Sequence, residues 1–587
     1  MNRLSNTRKL TILAQDPAVR FGGPEGPLAF ARVEVPAEEL GPGPTGYRVK
    51  VVDFDASSQL LYKDLIYTSD ALRPKGDPFE FAQEGAALEH RAFEDRLLAN
   101  PNFHAQNVYA IVMRTLARFE FALGRRVAWS HGGHQLNVVP HAFAEANAFY
   151  SEQDHALFFG YFPGRSGKMV FTCLSHDVVA HETTHALLDG LRTRFTEAST
   201  PDQAAFHEAF ADIVALLSIF SLPEIVGAAL SDSAEPPNRD GEVPLIDAER
   251  VGLKALRGSV LTGLAKEVGS ELLDGDEVHE ARGAALRRSV EMEPNKDYLS
   301  MPDYQEEHHR GEVLVAAFMS AFLTLWDKRI RDLGTFGSKY NRDMVVEEGA
   351  KVADHLLTMA IRALDYCPPT DMDFGAYLAS LLTADAELIP EDRKGYRRVM
   401  RETFESYGID LPAIGCHVEE GTWCPFVEPA DPPITYARTN FASMLTDRDE
   451  VFRFVWENRN ALGISERVPI EVDSVRSSTR QGPDGFFVKE TVVTYVQTLD
   501  MFAAECKVLL GFERPDGMST KQRLEVFGGG VIVFDQYGRI KYHIVHSLTD
   551  KDRQLRRLEY LVDMGEIAPH RGLRDRFSAL HMARAEG

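Results

Sequence analysis

Two histidines four residues apart, with a glutamate directly after the first, form the group in this chain best suited to do chemistry. They are His181 and His185, and the glutamate is Glu182. Residues four apart share a face of an α-helix, so both imidazoles can reach one metal ion. Glu182 would lie close enough to handle a metal-bound water. This H-E-x-x-H pattern is typical of zinc hydrolases, usually peptidases, although five residues alone are a weak signal.

The flanking sequence predicts that this segment is a helix with a partly apolar inner face. Asp177 falls in the first turn, where negative charge suits the helix dipole, and Gly190 is a suitable stop. A surface helix would place its charged groups opposite the apolar stripe. Here the histidines lie on that stripe, which contains Val178, His181, His185 and Leu188.

A catalytic zinc ion needs a third protein ligand and one open position. The metzincin pattern is excluded, because Leu188 and Leu191 occupy the positions where that class has glycine and a third histidine. The alternative is a carboxylate from a second helix. The next helix start in the sequence lies close enough along the chain to supply one.

Thr200 and Gln203 form a capping-box pattern that predicts this second helix. Glu208 and Asp212 are four apart on it and therefore share a face. Glu208 can be the third ligand. Asp212 can accept the free N–H of a metal-bound histidine, with His181 the first choice.

With these residues in place, the sequence resembles the thermolysin-like metalloproteases, a group of the gluzincins. Residues 177–186 are similar to the family's zinc helix, and residues 207–212 resemble its N-E-A-x-S-D helix. Residues 147–150 resemble its N-A-F-W strand. Residues 308–311 resemble its H-x-G element, ahead of an apolar helix from 313 to 326. These four motifs occur in the family's order, and the resemblance covers about residues 100–410.

The resemblance implies roles for the central residues. His181, His185 and Glu208 would bind one catalytic Zn²⁺, which would polarise the scissile carbonyl and acidify the water. Glu182 would be the general base and would pass the proton to the leaving amine. His309 would stabilise the oxyanion of the tetrahedral intermediate.

The resemblance also implies a partner for His309. Asp303 would orient it, with Glu306 and Glu307 as competitors for that role. The family usually has a tyrosine between the two metal-binding helices that assists with the oxyanion. Residues 192–196 contain none, so another group replaces it or the rate is lower.

Three residues are expected to hold the substrate. Asn147 and the backbone of Ala148 would bind a peptide as an additional edge strand. Arg288 would grip a substrate carbonyl, and Arg287 is nearly as good a candidate. The carboxylate cluster that binds calcium in secreted relatives is not evident, so calcium is not expected.

The expected fold class is α+β. A thermolysin-like catalytic region would have a β-rich lobe, a mainly helical lobe and the zinc site in the cleft between them, followed by an extra α+β module. The expected divisions are a mixed β region (1–100), a β-rich lobe with a helix and the substrate-edge strand (101–174), the helical lobe (175–410), a linker (411–434) and a module of unknown role (435–587).

Periodicity predicts several elements. Expected helices are 104–123, 351–363 and 447–458. Expected strands are 47–52, 136–139, 468–475, 486–496 and 531–534, with a tight hairpin after Phe534. Gly528–Gly530 is interpreted as a bulge or turn. Cys416, His417 and Cys424 match no standard zinc spacing.

Bulk properties restrict the setting. The chain of 587 residues has a formal charge of −24 and a pI near 5.3, which disfavours nucleic acid and anionic membranes as partners. No secretory apolar region, transmembrane-length stretch or even cysteine framework is evident. A cytoplasmic location is expected.

The sequence therefore predicts a cytoplasmic zinc metalloendopeptidase that hydrolyses internal bonds of a peptide or protein substrate. Two alternatives stay open. One is a gluzincin aminopeptidase, although the G-x-M-E-N motif of that class is not found. The other is a weak or inactive peptidase fold that serves binding or regulation. Cleavage specificity and oligomeric state do not follow from the sequence.

Overall fold

The structure is a computed structural model that describes residues 7–17, 26–67, 76–80, 87–131, 133–164, 167–197, 199–230, 243–263, 288–482 and 485–564. It is 43% helical and 21% strand, which confirms the expected α+β class.

Short strands dominate the chain before the histidine motif. β1 (Thr7–Leu13) and β2 (Phe30–Pro36) pair with each other, and β4 (Phe54–Asp55) pairs with β5 (Leu60–Leu61). A five-stranded sheet contains β3 (Val49–Val51), β6 (Leu136–Phe143), β7 (Ala148–Ser151), β8 (Ala156–Pro163) and β9 (Met169–Phe171). Its order is β3-β6-β8-β7, with β9 also paired to β8, so β7 is an edge strand.

Two helices accompany these strands, α1 (Ala87–Leu98) and α2 (Pro101–Leu123). The prediction of a helix at 104–123 is confirmed, and its start lies three residues earlier than expected. Asn100 accepts a hydrogen bond from the Asn102 N–H, Pro101 occupies the first position, and Gly124 ends the helix in the left-handed conformation. The side chains of α2 are buried along most of its length.

Helices dominate the middle of the chain. They are α3 (His176–Leu191), α4 (Pro201–Phe220), α5 (Pro223–Ala229), α6 (Leu253–Gly263), α7 (Glu307–Arg331), α8 (Arg342–Ala363), α9 (Phe374–Ala386) and α10 (Tyr396–Ser406). One small strand pair joins them, β10 (Leu245–Asp247) with β11 (Lys339–Asn341). The helix predicted at 351–363 is the second half of α8.

The helix α4 lies at the centre of this group and contacts α3, α7 and α8. It is the one helix of the described chain with the length and apolar composition of a membrane span, at a mean hydropathy of 1.3. The expectation that no such stretch exists is therefore wrong. Because 89% of that window is buried inside the protein, packing against the neighbouring helices accounts for its apolar composition.

A second sheet lies near the C-terminal end. It contains four antiparallel strands in chain order, β12 (Ile470–Gln481), β13 (Phe487–Phe502), β14 (Arg523–Phe534) and β15 (Ile540–His546). Four helices accompany it, α11 (Phe441–Met444), α12 (Arg448–Glu457), α13 (Cys506–Leu509) and α14 (Lys551–Asp563). The predicted strands and the hairpin after Phe534 are confirmed, with longer strands than expected.

The interpretation of Gly528–Gly530 as a bulge or turn is wrong, because all three residues lie inside β14 and pair with β13. Glycine is needed there for close approach. A Cβ on Gly529 would lie 2.5 Å from the Tyr495 carbonyl oxygen, and one on Gly528 would lie 2.5 Å from the Leu548 nitrogen.

This second sheet packs against the helices through a buried apolar cluster that joins Tyr366 and Ala376 to Val492, Val531 and Val533. The expected division at 411–434 stays a prediction. Within that stretch Trp423 is buried, and its indole N–H donates to Ser380 Oγ on α9 at 3.0 Å.

Buried charges cross the same contact. Arg480 on β12 pairs with Glu490 at 2.7 Å and also with Asp365, while Arg125 pairs with Asp365 at 2.6 Å. Asp365 lies directly after α8, and Arg125 lies just after α2. The sheet is therefore joined to two parts of the helical region by groups that water does not reach.

Candidate metal centre

The two histidines lie on α3, as the motif predicts, in a helix that is buried along almost its whole length. Thr183 and Thr184, between the histidines, donate their hydroxyl hydrogens to the carbonyls of Val179 and Ala180 at 2.6 and 2.7 Å. These bonds satisfy the two hydroxyls within the helix. The helix can therefore be buried without leaving these polar groups unpaired.

The third candidate ligand lies on α4. Thr200 caps this helix, accepting the Gln203 N–H at 3.2 Å, and Pro201 is its first residue. The capping box is one-sided, because the Gln203 amide donates to the carbonyls of Arg194 and Glu197 at 2.9 and 2.5 Å. Gln203 thereby ties the start of α4 to the turn that follows α3.

Packing of α3 on α4 brings three ligand atoms together. The Nε2 atoms of His181 and His185 are 2.8 Å apart, and each lies 3.6 Å from a different carboxylate oxygen of Glu208. We call these atoms the ligand triangle. A tetrahedral zinc site with bonds of about 2.0–2.2 Å has ligand atoms about 3.3–3.6 Å apart, so small shifts would accommodate the ion.

The outer nitrogen of each histidine also has a partner. His181 Nδ1 lies 2.8 Å from Asp212 Oδ1, as expected from the sequence. His185 Nδ1 lies 2.8 Å from His207 Nδ1, a contact that the sequence analysis missed. With Nε2 on a metal, each Nδ1 carries hydrogen and donates it outward, the arrangement usual for zinc-bound histidine. In the sequence, this contact could have been inferred from the polar side chain directly before Glu208, a position where the family motif has asparagine.

Glu182 connects this centre to the edge strand. Its Oε2 accepts the backbone N–H of Tyr150 in β7 at 3.1 Å. The Tyr150 hydroxyl donates to Asp189 Oδ2 at 3.1 Å and lies 2.6 Å from Ser130 Oγ. Burial, and then the Asp189 carboxylate, raise the pKa of Tyr150, so this hydroxyl stays protonated. The candidate base is therefore oriented by the strand expected to bind substrate.

Asn147 lies directly before β7 and is buried. Its Oδ1 accepts the Ala148 N–H at 2.8 Å, and its carbonyl accepts the Gly160 N–H at 2.7 Å. The Nδ2 group is buried and has no hydrogen-bond partner among the described residues. A buried amide with a free donor is costly unless something else binds it.

His308 and His309 begin α7 rather than precede it. The carboxylate of Glu306 caps the helix by accepting the N–H groups of His308 and His309 at 3.0 and 2.9 Å. Burial opposes the ionisation of Glu306, but these bonds and the His308 ring outweigh it and lower the pKa of this carboxyl to about 2. Because Glu306 caps it, the helix begins at Glu307 rather than at the expected residue 313.

The partner of His309 differs from the expected carboxylate of Asp303. His309 Nδ1 lies 3.2 Å from the main-chain carbonyl oxygen of Asp303, with Glu306 Oε2 3.7 Å away. The first turn of α7 sets this geometry, because it places the ring over the preceding chain. The Tyr304 ring lies 6.3 Å from the His309 ring between centroids and is a neighbour that the sequence analysis did not consider.

Arg288 forms an ion pair with Glu312 on α7, with Nη2 2.7 Å from Oε1. The hydrogen bond to Glu312 raises the pKa of Arg288. Arg287, the alternative candidate, lies outside the described residues. The contact places Arg288 beside the helix that carries His309.

No protein-family model matches the chain, and comparison with curated proteins finds no significant match. The likeness to thermolysin-like metalloproteases therefore rests on the four sequence motifs.

Proposed function

We propose that this protein is a zinc-dependent metalloendopeptidase with a thermolysin-like, two-lobed catalytic region. The observation that carries the proposal is the ligand triangle of His181, His185 and Glu208, with Glu182 next to it and hydrogen-bonded to an edge strand. Two neutral imidazoles and one carboxylate from two helices form a donor set typical of catalytic zinc.

Zinc bound there would supply Lewis acidity to the scissile carbonyl and lower the pKa of a bound water. The protein residues account for the remaining steps. Asp212 and His207 hold the two imidazoles with their Nε2 atoms directed at the same point. Glu182 takes the proton of the attacking water and transfers it to the leaving amine.

A peptide substrate would bind along the outer edge of β7. The strand has β8 on one side only, so its other edge can pair with an extended chain. The Nδ2 of Asn147 is buried and unpaired, and a rotation of this side chain toward that edge would let it donate to a substrate carbonyl. The hydrogen bond from the Tyr150 N–H to Glu182 would fix the position of the base relative to the bound strand.

His309 would stabilise the oxyanion. His309 Nδ1 donates its hydrogen to the Asp303 carbonyl, which leaves Nε2 to face the substrate. Nε2 can donate to the oxyanion at the same time only in the imidazolium form, in which both nitrogens carry hydrogen. Arg288, ion-paired with Glu312 on the same helix, would act on a substrate carbonyl. We also propose that the protein is cytoplasmic and that its substrate is a peptide or a protein.

Mass-spectrometric cleavage of a mixed peptide library by the purified full chain tests this proposal. Wild-type protein and the Glu182→Gln variant are compared at equal zinc content. Glu347→Gln, a substitution on the exposed face of α8, is the matched control. Internal cleavage by the wild type and the control, abolished in Glu182→Gln, is the expected result.

Two other results would contradict the proposal. Removal of single N-terminal residues alone would indicate an aminopeptidase. Absence of cleavage by zinc-loaded wild type would indicate a binding protein on a peptidase fold.

A further inference from the structure

A second group of metal-ligating atoms lies outside the ligand triangle. The side chains of His104, His141 and Cys173 bring one ligand atom each to within 4.8 Å of one another. All three residues are buried, with no more than 1% of any of them exposed. None of them has a role in the proposed peptidase mechanism.

The three residues come from separate elements. His104 lies in the first turns of α2, His141 lies on β6, and Cys173 lies in the short 3-10 turn Thr172–Leu174, just before α3 begins. The fold therefore converges on this point from three directions. This convergence of buried nitrogen and sulfur atoms supplies three of the four donors that a structural zinc site usually has.

The ring nitrogens are paired in a way that resembles the ligand triangle. His104 Nδ1 lies 2.8 Å from His141 Nε2, the same separation as between the two Nε2 atoms of His181 and His185. The outer nitrogens have acceptors: His104 Nε2 lies 2.8 Å from the Leu98 carbonyl oxygen, and His141 Nδ1 lies 2.8 Å from Asp53 Oδ1. Metal-bound histidines typically donate their free N–H to such acceptors.

The protons of this group can be counted. A carbonyl oxygen only accepts, so His104 Nε2 carries hydrogen, and the Asp53 carboxylate requires hydrogen on His141 Nδ1. Two neutral rings would then direct bare lone pairs at each other across 2.8 Å. A proton shared by the two nitrogens or a metal ion bound between them would remove this repulsion.

The sulfur of Cys173 favours the metal ion. A proton shared by two nitrogens has no use for a third donor, whereas a metal ion does. We propose that His104, His141 and Cys173 bind a second, structural metal ion of the Zn²⁺ class, separate from the catalytic centre. Its donor set lacks the oxygen atoms that Ca²⁺ and Mg²⁺ require.

Charge balance is consistent with a divalent ion. With an ion bound, Cys173 would ligate as the thiolate, and its charge together with that of the Asp53 carboxylate would neutralise the ion, as a buried site requires. The ion would bind α2 and β6 to the turn that leads into α3. Metal at this site would therefore hold the start of the histidine helix against the sheet. This inference does not depend on peptidase activity.

Cobalt substitution provides the test. The full chain is expressed in minimal medium with Co²⁺ as the added metal, so that the ion enters as the protein folds. The ligand triangle contains no sulfur, so a thiolate-to-cobalt charge-transfer band reports a cysteine ligand. We expect this band, together with two ions per chain by elemental analysis, one for each group of ligand atoms.

Three variants show which residue gives rise to the charge-transfer band. Cys173→Ser should remove the band and one ion, whereas Glu208→Gln should lose the other ion and keep the band. The double variant Cys416→Ser/Cys424→Ser controls for the partly exposed cysteines and should keep the band.

A wild-type measurement guards against variants that fail to fold. X-ray absorption of the zinc-containing wild type should show a sulfur neighbour at about 2.3 Å. Absence of a sulfur neighbour in the wild type, or a band that survives Cys173→Ser, would overturn the proposal. One ion per chain with a sulfur neighbour would support this site and count against the catalytic one.

Discussion

The imidazole of His207 stacks on that of His185, with ring centroids 4.8 Å apart, planes inclined by 14° and Nδ1 atoms 2.8 Å apart. When His185 binds a metal through Nε2, its Nδ1 hydrogen points to His207, whose Nδ1 must accept. His207 thus selects the tautomer of His185 that binds metal, as Asp212 does for His181.

Removal of this acceptor should weaken zinc binding. We expect His207→Leu to lower zinc affinity about 10–100-fold, the usual cost of losing an outer hydrogen bond to a ligand. His207→Asn, which restores an acceptor, should recover most of the affinity. Competition with a chromophoric chelator measures both. The exposed His134→Leu is the control, and equal affinity of His207→Leu and wild type would refute the role.

Loss of the His309 imidazole should slow turnover without loss of metal. Replacement of one oxyanion donor typically lowers kcat about 100–1000-fold, so His309→Phe is expected to fall in that range with KM little changed. The neighbouring His308→Phe is the matched control. Steady-state kinetics with a peptide identified from the library, at verified zinc content, gives the answer. A change confined to KM would instead indicate a substrate-binding role.

The free amide donor of Asn147 should contribute to substrate binding. One hydrogen bond is worth about 0.5–1.5 kcal/mol, so Asn147→Ala should lower kcat/KM about 2- to 10-fold. Asn147→Asp keeps the oxygen that accepts the Ala148 N–H, replaces the donor with a second oxygen and adds a negative charge, so its loss at pH 8 should be at least as large. Full activity of Asn147→Asp would show that Nδ2 does not contact substrate.

The buried pairs of Arg480 should dominate the stability of the contact between the second sheet and the helices. Burial opposes ionisation of Asp365, but Arg125 and Arg480 outweigh it and hold its pKa below the usual range. Arg480→Met removes one of the two cations that pair with each carboxylate, leaving Asp365 with Arg125 and Glu490 with Lys541, and should cost up to about 3–5 kcal/mol. Arg453→Met removes an exposed pair with Glu450, which solvent screens, and should change the free energy of unfolding far less. Urea unfolding distinguishes the two, and equal costs would contradict the prediction.

Protonation of His546 should weaken the same contact in mild acid. Its Nδ1 lies 2.7 Å from the Thr370 carbonyl oxygen, and burial, followed by the nearby Arg553 charge, lowers its pKa well below the usual value. The unfolded chain takes up the proton first. This contribution is therefore complete above pH ~6.5 and is lost below it, at up to about 1.4 kcal/mol per pH unit.

The check is urea unfolding of wild type and His546→Gln at several pH values from 7 to 5. The wild type should lose stability more steeply over this range than the variant. If the free energy of unfolding of wild type and variant fell in parallel with pH, His546 would not be the cause of the loss of stability.

The sequence by itself determined the features that depend on short spacings. His181 and His185 share a face because they are four apart on a helix, and Thr200 with Pro201 starts α4 because capping is a local interaction. The helix at 104–123, the hairpin after Phe534 and the α+β class follow from periodicity and turn residues in the same way. Glu208 and Asp212 were found because spacing and family likeness pointed to the same helix.

Only the tertiary structure brought together residues that are distant in the chain. His104, His141 and Cys173 have no common spacing, and they meet because α2, β6 and the turn before α3 pack around one point. His207 meets His185 because α3 lies on α4, and Arg480 meets Asp365 across 115 positions of sequence. Side-chain convergence of this kind depends on how elements pack, and the pattern of any one segment carries no record of that packing.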